Sequence, residues 1–136
     1  MKLENQVVRL ELAKKLKELG VKQESYFYWE KSPFAYDKKF VIRDNNFCLN
    51  PIKVRDPKDQ NKYPRYSAFT VAELGEMLPN QSLEMSVKCY KGNNVYWAEY
   101  WKYDRQIYLV GGEDNEADAR AKMLIYLIGN NLITVT

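Results

Sequence analysis

The chain has 136 residues, the length of one ordinary domain; with 46% hydrophobic and 14% aromatic residues it can bury a core, and 29% charged residues keep its outside wet. A balance of 21 Lys and Arg against 18 Asp and Glu leaves a net charge of +3, too little to hold duplex nucleic acid by charge alone. There is no histidine, which excludes imidazole-based zinc sites, Ser-His and Cys-His nucleophile pairs, and most common hydrolases.

The opening "MKLENQVVRL" lacks the continuous apolar stretch of a secretory leader, and no run approaches the roughly 18 apolar residues that cross a bilayer. A soluble, cytoplasmic protein with no membrane partner is expected, its Cys48 and Cys89 reduced. Two cysteines without CxxC spacing cannot close a structural zinc site, and no calcium, phosphate-loop or dinucleotide motif occurs, so no metal or cofactor is expected. "LELAKKLKELG" then sets Leu12, Ala13, Leu16 and Leu19 at helical spacing, with Gly20 to end the helix and Val21 to pack back on it. From Val21 to Arg65 short extended pieces, "SYFYW" (25–29) and "KKFVIRD" (38–44), alternate with prolines. The basic, proline-broken "NPIKVRDPKDQNKYPR" (50–65) reads as a surface excursion.

The second helix is better specified. Thr70 and Glu73 form an S/T-x-x-E capping box, Val71, Leu74, Met77 and Leu78 make the buried stripe, and Pro79 stops it. "SLEMSVKCY" alternates as a half-buried strand; "KGNN" turns the chain into "VYWAEYWKY", and "DR" turns it into "QIYLV". "VGGED" (110–114) reads as a structural turn, its acidic residues being unsuited to phosphate. A last helix starts near Asp114 or Asn115 and runs to Gly129, with "LITVT" as a possible edge strand. The fold class is α+β: one domain over 1–136, with an antiparallel meander within 82–111 and two or three helices, those over 71–78 and 115–128 among them, on one face. Residues 1–65 supply the first helix, the extended segments and the basic loop, and 66–136 the helix, meander and final helix.

Alternation in the meander divides its side chains. With even-length loops, Leu83, Met85, Val87, Cys89, Tyr96, Ala98, Tyr100, Ile107 and Leu109 share the face under the helices. The opposite face receives Tyr90, Val95, Trp97, Trp101, Tyr103 and Tyr108, with Glu84, Lys88 and Glu99 among them. Two readings of this aromatic wall stand side by side. In one, the "SYFYW" segment covers it as a second small core; in the other, part of it stays open as a binding surface. Trp29 or Tyr28 would then shield one part, while Trp97, Glu99 and Trp101 border a cleft.

The blocks "LENQVVRLELAKKLKELGVKQESYFYW", "YSAFTVAELGEMLP" and "ADARAKMLIYLIGNNLI" resemble uncharacterised small proteins of bacteriophages and prophages, notably of gut Bacteroidota. The second half is also similar in layout to the phage α-β-α sandwich domain. The resemblance implies a mobile-element origin and a bacterial host cytoplasm, and it brings no catalytic residues. Three functions follow as expectations. The first is a non-enzymatic accessory protein that engages a host protein or a small nucleotide-like ligand through Trp97, Glu99, Trp101, Tyr108, Lys88, Glu84 and Trp29. The second is a single-stranded nucleic-acid binder in which Trp97, Trp101 and Tyr108 stack bases, and Lys38, Lys39, Arg43, Lys53, Arg55, Lys58, Lys62 and Arg65 track phosphates. The third is an enzyme using Glu99 with Glu84 as an acid-base pair.

Overall fold

Leucine spacing near the N-terminus produces α1 (Leu10–Glu18), which buries Leu10, Leu12, Ala13 and Leu16. Its exit follows the sequence: Gly20 takes φ +89°, and the Gly20 and Val21 amides donate to the Lys17 and Leu16 carbonyls at 3.0 and 3.1 Å. The computed structural model describes residues 2–30, 43–44, 47–51, 65–79, 81–82 and 84–135. Most of the basic excursion, with Lys53, Arg55, Lys58 and Lys62, therefore lies outside the described residues, as do Lys38 and Lys39.

The extended N-terminal pieces form an antiparallel four-stranded sheet in the order β2 (Arg43–Asp44), β3 (Phe47–Pro51), β1 (Phe27–Glu30), β4 (Arg65–Ser67). The aromatic residues of "SYFYW" are spent here. Tyr28 and Trp29 are buried, the Trp29 indole donates to the Val8 carbonyl at 2.9 Å, and the Tyr28 hydroxyl accepts from the Ser25 amide at 3.1 Å. Trp29 thus belongs to the main core and not to the meander wall, because its indole N–H finds its partner on the segment leading into α1.

The capping box forms as its sequence dictates: Thr70 Oγ1 accepts from the Glu73 amide and Glu73 Oε1 from the Thr70 amide, starting α2 (Val71–Met77), which buries Leu74. Asn115 caps α3 (Glu116–Gly129) through Oδ1 to the Ala117 amide, while its Nδ2 donates to the Val7 carbonyl at 2.8 Å. Ala117, Ala119, Ala121, Met123, Leu124 and Leu127 are all buried because α3 is enclosed on several sides, touching α1, α2 and the meander. At the head of α3 the Arg9 amide donates to Asp118 Oδ1 at 2.8 Å, and the Arg9 guanidinium reaches Glu113, which also pairs with Lys122. One contiguous core runs through both halves of the chain.

The meander is β5 (Ser86–Gly92), β6 (Val95–Lys102) and β7 (Arg105–Glu113), all antiparallel. Asn93 and Asn94 both take positive φ, 54° and 64°, the geometry of the two-residue hairpin turn that suits twisted strands. The β5/β6 register pairs Lys88 with Glu99, Tyr90 with Trp97 and Ser86 with Trp101, so the expected division of side chains is present on these two strands. On β7 it is reversed. Tyr100 faces Tyr108 and Trp101 faces Gln106, which leaves Ile107 as an extra residue in a bulge. Past that bulge Tyr108 and Val110 point to the helix side and Leu109 to the outer side. The expectation for Tyr108 on the outer face, and for Leu109 on the inner, is corrected by this one-residue insertion, which inverts the side chains from Tyr108 to Gly111.

Three smaller corrections accompany it. Tyr103 lies in the β6–β7 turn with Asp104, not on the wall. Glu84 precedes β5 and offers its carbonyl to the Tyr103 amide, so it does not sit beside Glu99 on a strand. "VGGED" continues β7 through a second irregularity at Gly112, φ +69°, instead of forming a turn. The described part of the "LITVT" tail, 132–135, contains no strand. No helix among the described residues is long and apolar enough to cross a membrane.

The outer face of the meander as a candidate binding site

Alternation on β6 projects Val95, Trp97, Glu99 and Trp101 to the side away from α3, and β5 adds Lys88 and Tyr90. α3 packs on the meander over Ala98, Tyr100 and Val110, on the inner side. The outer side chains are accordingly half-buried or exposed, with Tyr90 at 43% and Leu109 at 45% exposure.

Glu99 sits at the centre of this face. Its Oε1 accepts from the Tyr90 hydroxyl at 3.3 Å and its Oε2 from the Trp101 indole at 3.2 Å. Both donors are neutral. Lys88 stands directly across the strands, but its ammonium lies 5.1 Å over the Trp101 ring and makes no ion pair with Glu99. The Tyr90 phenol is held above its ordinary value, first by desolvation and then by the charge and hydrogen bond of Glu99.

Trp97 is fixed from three sides. It lies nearly parallel to Tyr90, with ring centroids 6.5 Å and planes 11° apart, and its indole donates to the Gly92 carbonyl at 3.1 Å. Its six-membered ring covers Gly111 on β7, where a Cβ would fall 2.6 Å from Cζ3. The glycine is therefore the floor on which the indole rests.

Of the seven residues expected at the site, Trp97, Glu99, Trp101 and Lys88 come together on this face. Tyr108 is on the other face, stacked on Tyr126 of α3 with ring centroids 3.7 Å and planes 2° apart. Trp29 is in the core and Glu84 lies ahead of β5. From the proposed phosphate-tracking set, Arg65 is engaged with Glu30 at 3.1 Å and with the Tyr28 ring at 3.5 Å. Tyr90, Leu109 and Gly111 complete the face although they were not singled out as site residues. The glycine pair inside an apolar run was the available signal for Gly111, since such a pair marks a bulge or a close approach.

Two cavities of the structure lie away from this face. A groove of about 500 Å³ opens elsewhere, between Val21–Glu24, α2, the end of α3 and Ile133–Val135, and a smaller cavity of about 310 Å³ lies between Asn5–Gln6, the start of α2 and Tyr96. Neither of these two is lined by Trp97, Glu99 or Trp101. Among the described residues no group of three or more acidic or cysteine side chains is placed to hold a metal ion. Comparison with family models, with curated proteins and with solved structures finds no match to this chain.

Proposed function

We propose that the chain is a non-enzymatic binding module, an accessory protein of phage or prophage origin, that engages a host protein through the outer face of β5–β7. The observation that carries this reading is the ordered cluster of Trp97, Glu99, Trp101 and Tyr90, mutually hydrogen-bonded or stacked on a face that α3 leaves uncovered. Large aromatic side chains already fixed in place lose little conformational entropy on binding, and Trp and Tyr dominate the energetics of protein interfaces for that reason.

The test is native mass spectrometry of the full chain purified from its bacterial host, using wild type, Trp97→Ala and Tyr26→Ala. Tyr26 is 66% exposed and lies ahead of β1, far along the chain from the cluster, so it controls for loss of any exposed aromatic. A partner retained by wild type and by Tyr26→Ala, and weakened at least tenfold by Trp97→Ala in a folded variant, is expected. Equal retention by all three chains would remove the outer face from consideration.

A further inference from the structure

Two places in the chain share one construction. On β1, Glu30 and Tyr28 stand two residues apart, and directly across from Glu30 on β4 is Arg65. Its Nε lies 3.1 Å from Glu30 Oε1, and its guanidinium carbon lies 3.5 Å from the centre of the Tyr28 ring. On β6, Glu99 likewise has an aromatic residue two positions away, on both sides: Trp97 and Trp101. Here no arginine is opposite. The cross-strand positions hold Lys88, which leans over Trp101, and Leu109, which is apolar and exposed.

The chemistry left open at Glu99 is specific. Each carboxylate oxygen accepts two hydrogen bonds, and the neutral Tyr90 and Trp101 donors use one apiece. One acceptor position remains on each oxygen, with a full negative charge that no cation in the described chain pairs. Two parallel N–H donors on a planar cation satisfy both positions at once while the plane of that cation lies against an indole. A phosphate meets repulsion from Glu99, and an ammonium, being a point charge, serves the carboxylate without the flat contact.

We infer that the outer face of the meander is an arginine-recognition site, in which a guanidinium of a partner peptide takes at Glu99 the place that Arg65 takes at Glu30. This rests on the reading of that face as a binding surface and adds the chemical identity of what it binds. The guanidinium enters from the Trp97 and Tyr90 side, since Lys88 already occupies the space over Trp101.

The three indole N–H signals of the chain provide the measurement. Trp97 and Trp101 report the face, and Trp29, buried and bonded to the Val8 carbonyl, is the internal control. Tetra-arginine, tetra-lysine, tetra-glutamate and a short oligothymidylate are titrated separately into the labelled protein at near-physiological salt. Tetra-arginine is expected to move the Trp97 and Trp101 signals while Trp29 stays, with tetra-lysine weaker and the two anions inert. Glu99→Gln is expected to weaken tetra-arginine about tenfold, the size of one charge-assisted hydrogen bond. Leu109→Arg keeps Glu99 and places an arginine opposite it, as Arg65 is opposite Glu30, and is expected to abolish the response by filling the site from within. Equal responses to tetra-lysine and tetra-arginine, or tetra-arginine binding that survives both substitutions, would overturn the inference. If an anion moves the two indoles and tetra-arginine does not, the arginine assignment falls and the binding face stands. If no probe moves them and Trp97→Ala leaves partner retention unchanged, both fall.

Discussion

Replacing Gly111 by alanine should push Trp97 off its seat. The added Cβ would lie 2.6 Å from Cζ3 and 3.1 Å from Cε3 of the indole, whereas carbon atoms rest at about 3.5–4.0 Å, so the ring must retreat by about 1 Å. It cannot do so freely, because its indole N–H is bonded to the Gly92 carbonyl and its face lies along Tyr90. Overpacking of this kind costs about 1–3 kcal/mol, including the strained or lost hydrogen bond at about 0.5–1.5 kcal/mol. The smaller conformational freedom of alanine in the unfolded chain returns about 0.4–1 kcal/mol, so a net loss of about 1–2 kcal/mol is expected in urea denaturation. Gly112→Ala is the control. It meets no atom within 4 Å but has φ +69°, so it should cost about 1 kcal/mol through the backbone alone and leave the Trp97 indole signal in place. A Gly111→Ala variant with unchanged stability and an unmoved Trp97 signal, or a Gly112→Ala variant that moves Trp97 as far, would refute the account of this face.

Leu74→Ala and Leu124→Ala, each removing a side chain no more than 2% exposed, should lower unfolding free energy by about 2–5 kcal/mol. Leu109→Ala on the outer face should stay within about 0.5 kcal/mol, and the reverse ranking in denaturation would place the core on the wrong side. Burial raises the Asp118 carboxyl above its usual 3.8, against the opposing Arg9 amide and guanidinium, so its proton is held more tightly in the folded state. That contribution is full below the unfolded value and is lost as pH rises through the folded one. The stability of wild type relative to Asp118→Asn, which cannot titrate, should therefore fall as pH rises from the ordinary carboxylate value, and a relative stability that rises would contradict the raised pKa. Tyr103, exposed and held at φ 54°, occupies a turn position that suits Asn or Gly; Tyr103→Asn should raise the urea midpoint, by about 0.5–1 kcal/mol in stability, and no gain would show the turn to be unstrained.

Features with local causes were legible in the sequence. The capping box at Thr70 and Glu73, the Asn115 start of α3 and the Gly20 exit of α1 depend on a few adjacent residues, and each forms where the residue types place it. The facing of side chains on β5 and β6 was legible too, although the register was not: KGNN as a four-residue turn sets Tyr90 opposite Val95, whereas the two-residue Asn-Asn turn sets Tyr90 opposite Trp97, a shift of two that keeps every side chain on its face. What failed depended on a single unpaired residue. Alternation carries no mark of the bulge at Ile107, yet that residue decides whether Tyr108 meets Tyr126 or Trp97. The first aromatic run was equally ambiguous: indole and phenol groups suit a core or an interface, and only the tertiary placement of the Val8 carbonyl settles Trp29 in the core. Trp97, Glu99, Trp101 and Lys88 share the outer face as expected because their placement depends on β5 and β6 alone. Leu109 and Gly111 were missed because they follow the bulge.

Among the described residues β5 and β7 are the outer strands of the meander, and they meet the hazard of uncontrolled strand addition in different ways. The β5 edge carries Lys88 and Lys91, whose charges discourage another chain from lying alongside. The β7 edge presents Ile107, Tyr108 and Leu109 with no charged residue between Arg105 and Glu113, a composition that would invite aggregation in a flat strand. Its defence is geometric: the irregularities at Ile107 and Gly112 bend the strand at both ends of this apolar stretch and interrupt the row of evenly spaced amides and carbonyls that a further strand needs. The insertion that hides Tyr108 from the outer face therefore also guards the edge of the sheet, and straightening β7 would turn that edge into a template for a further strand.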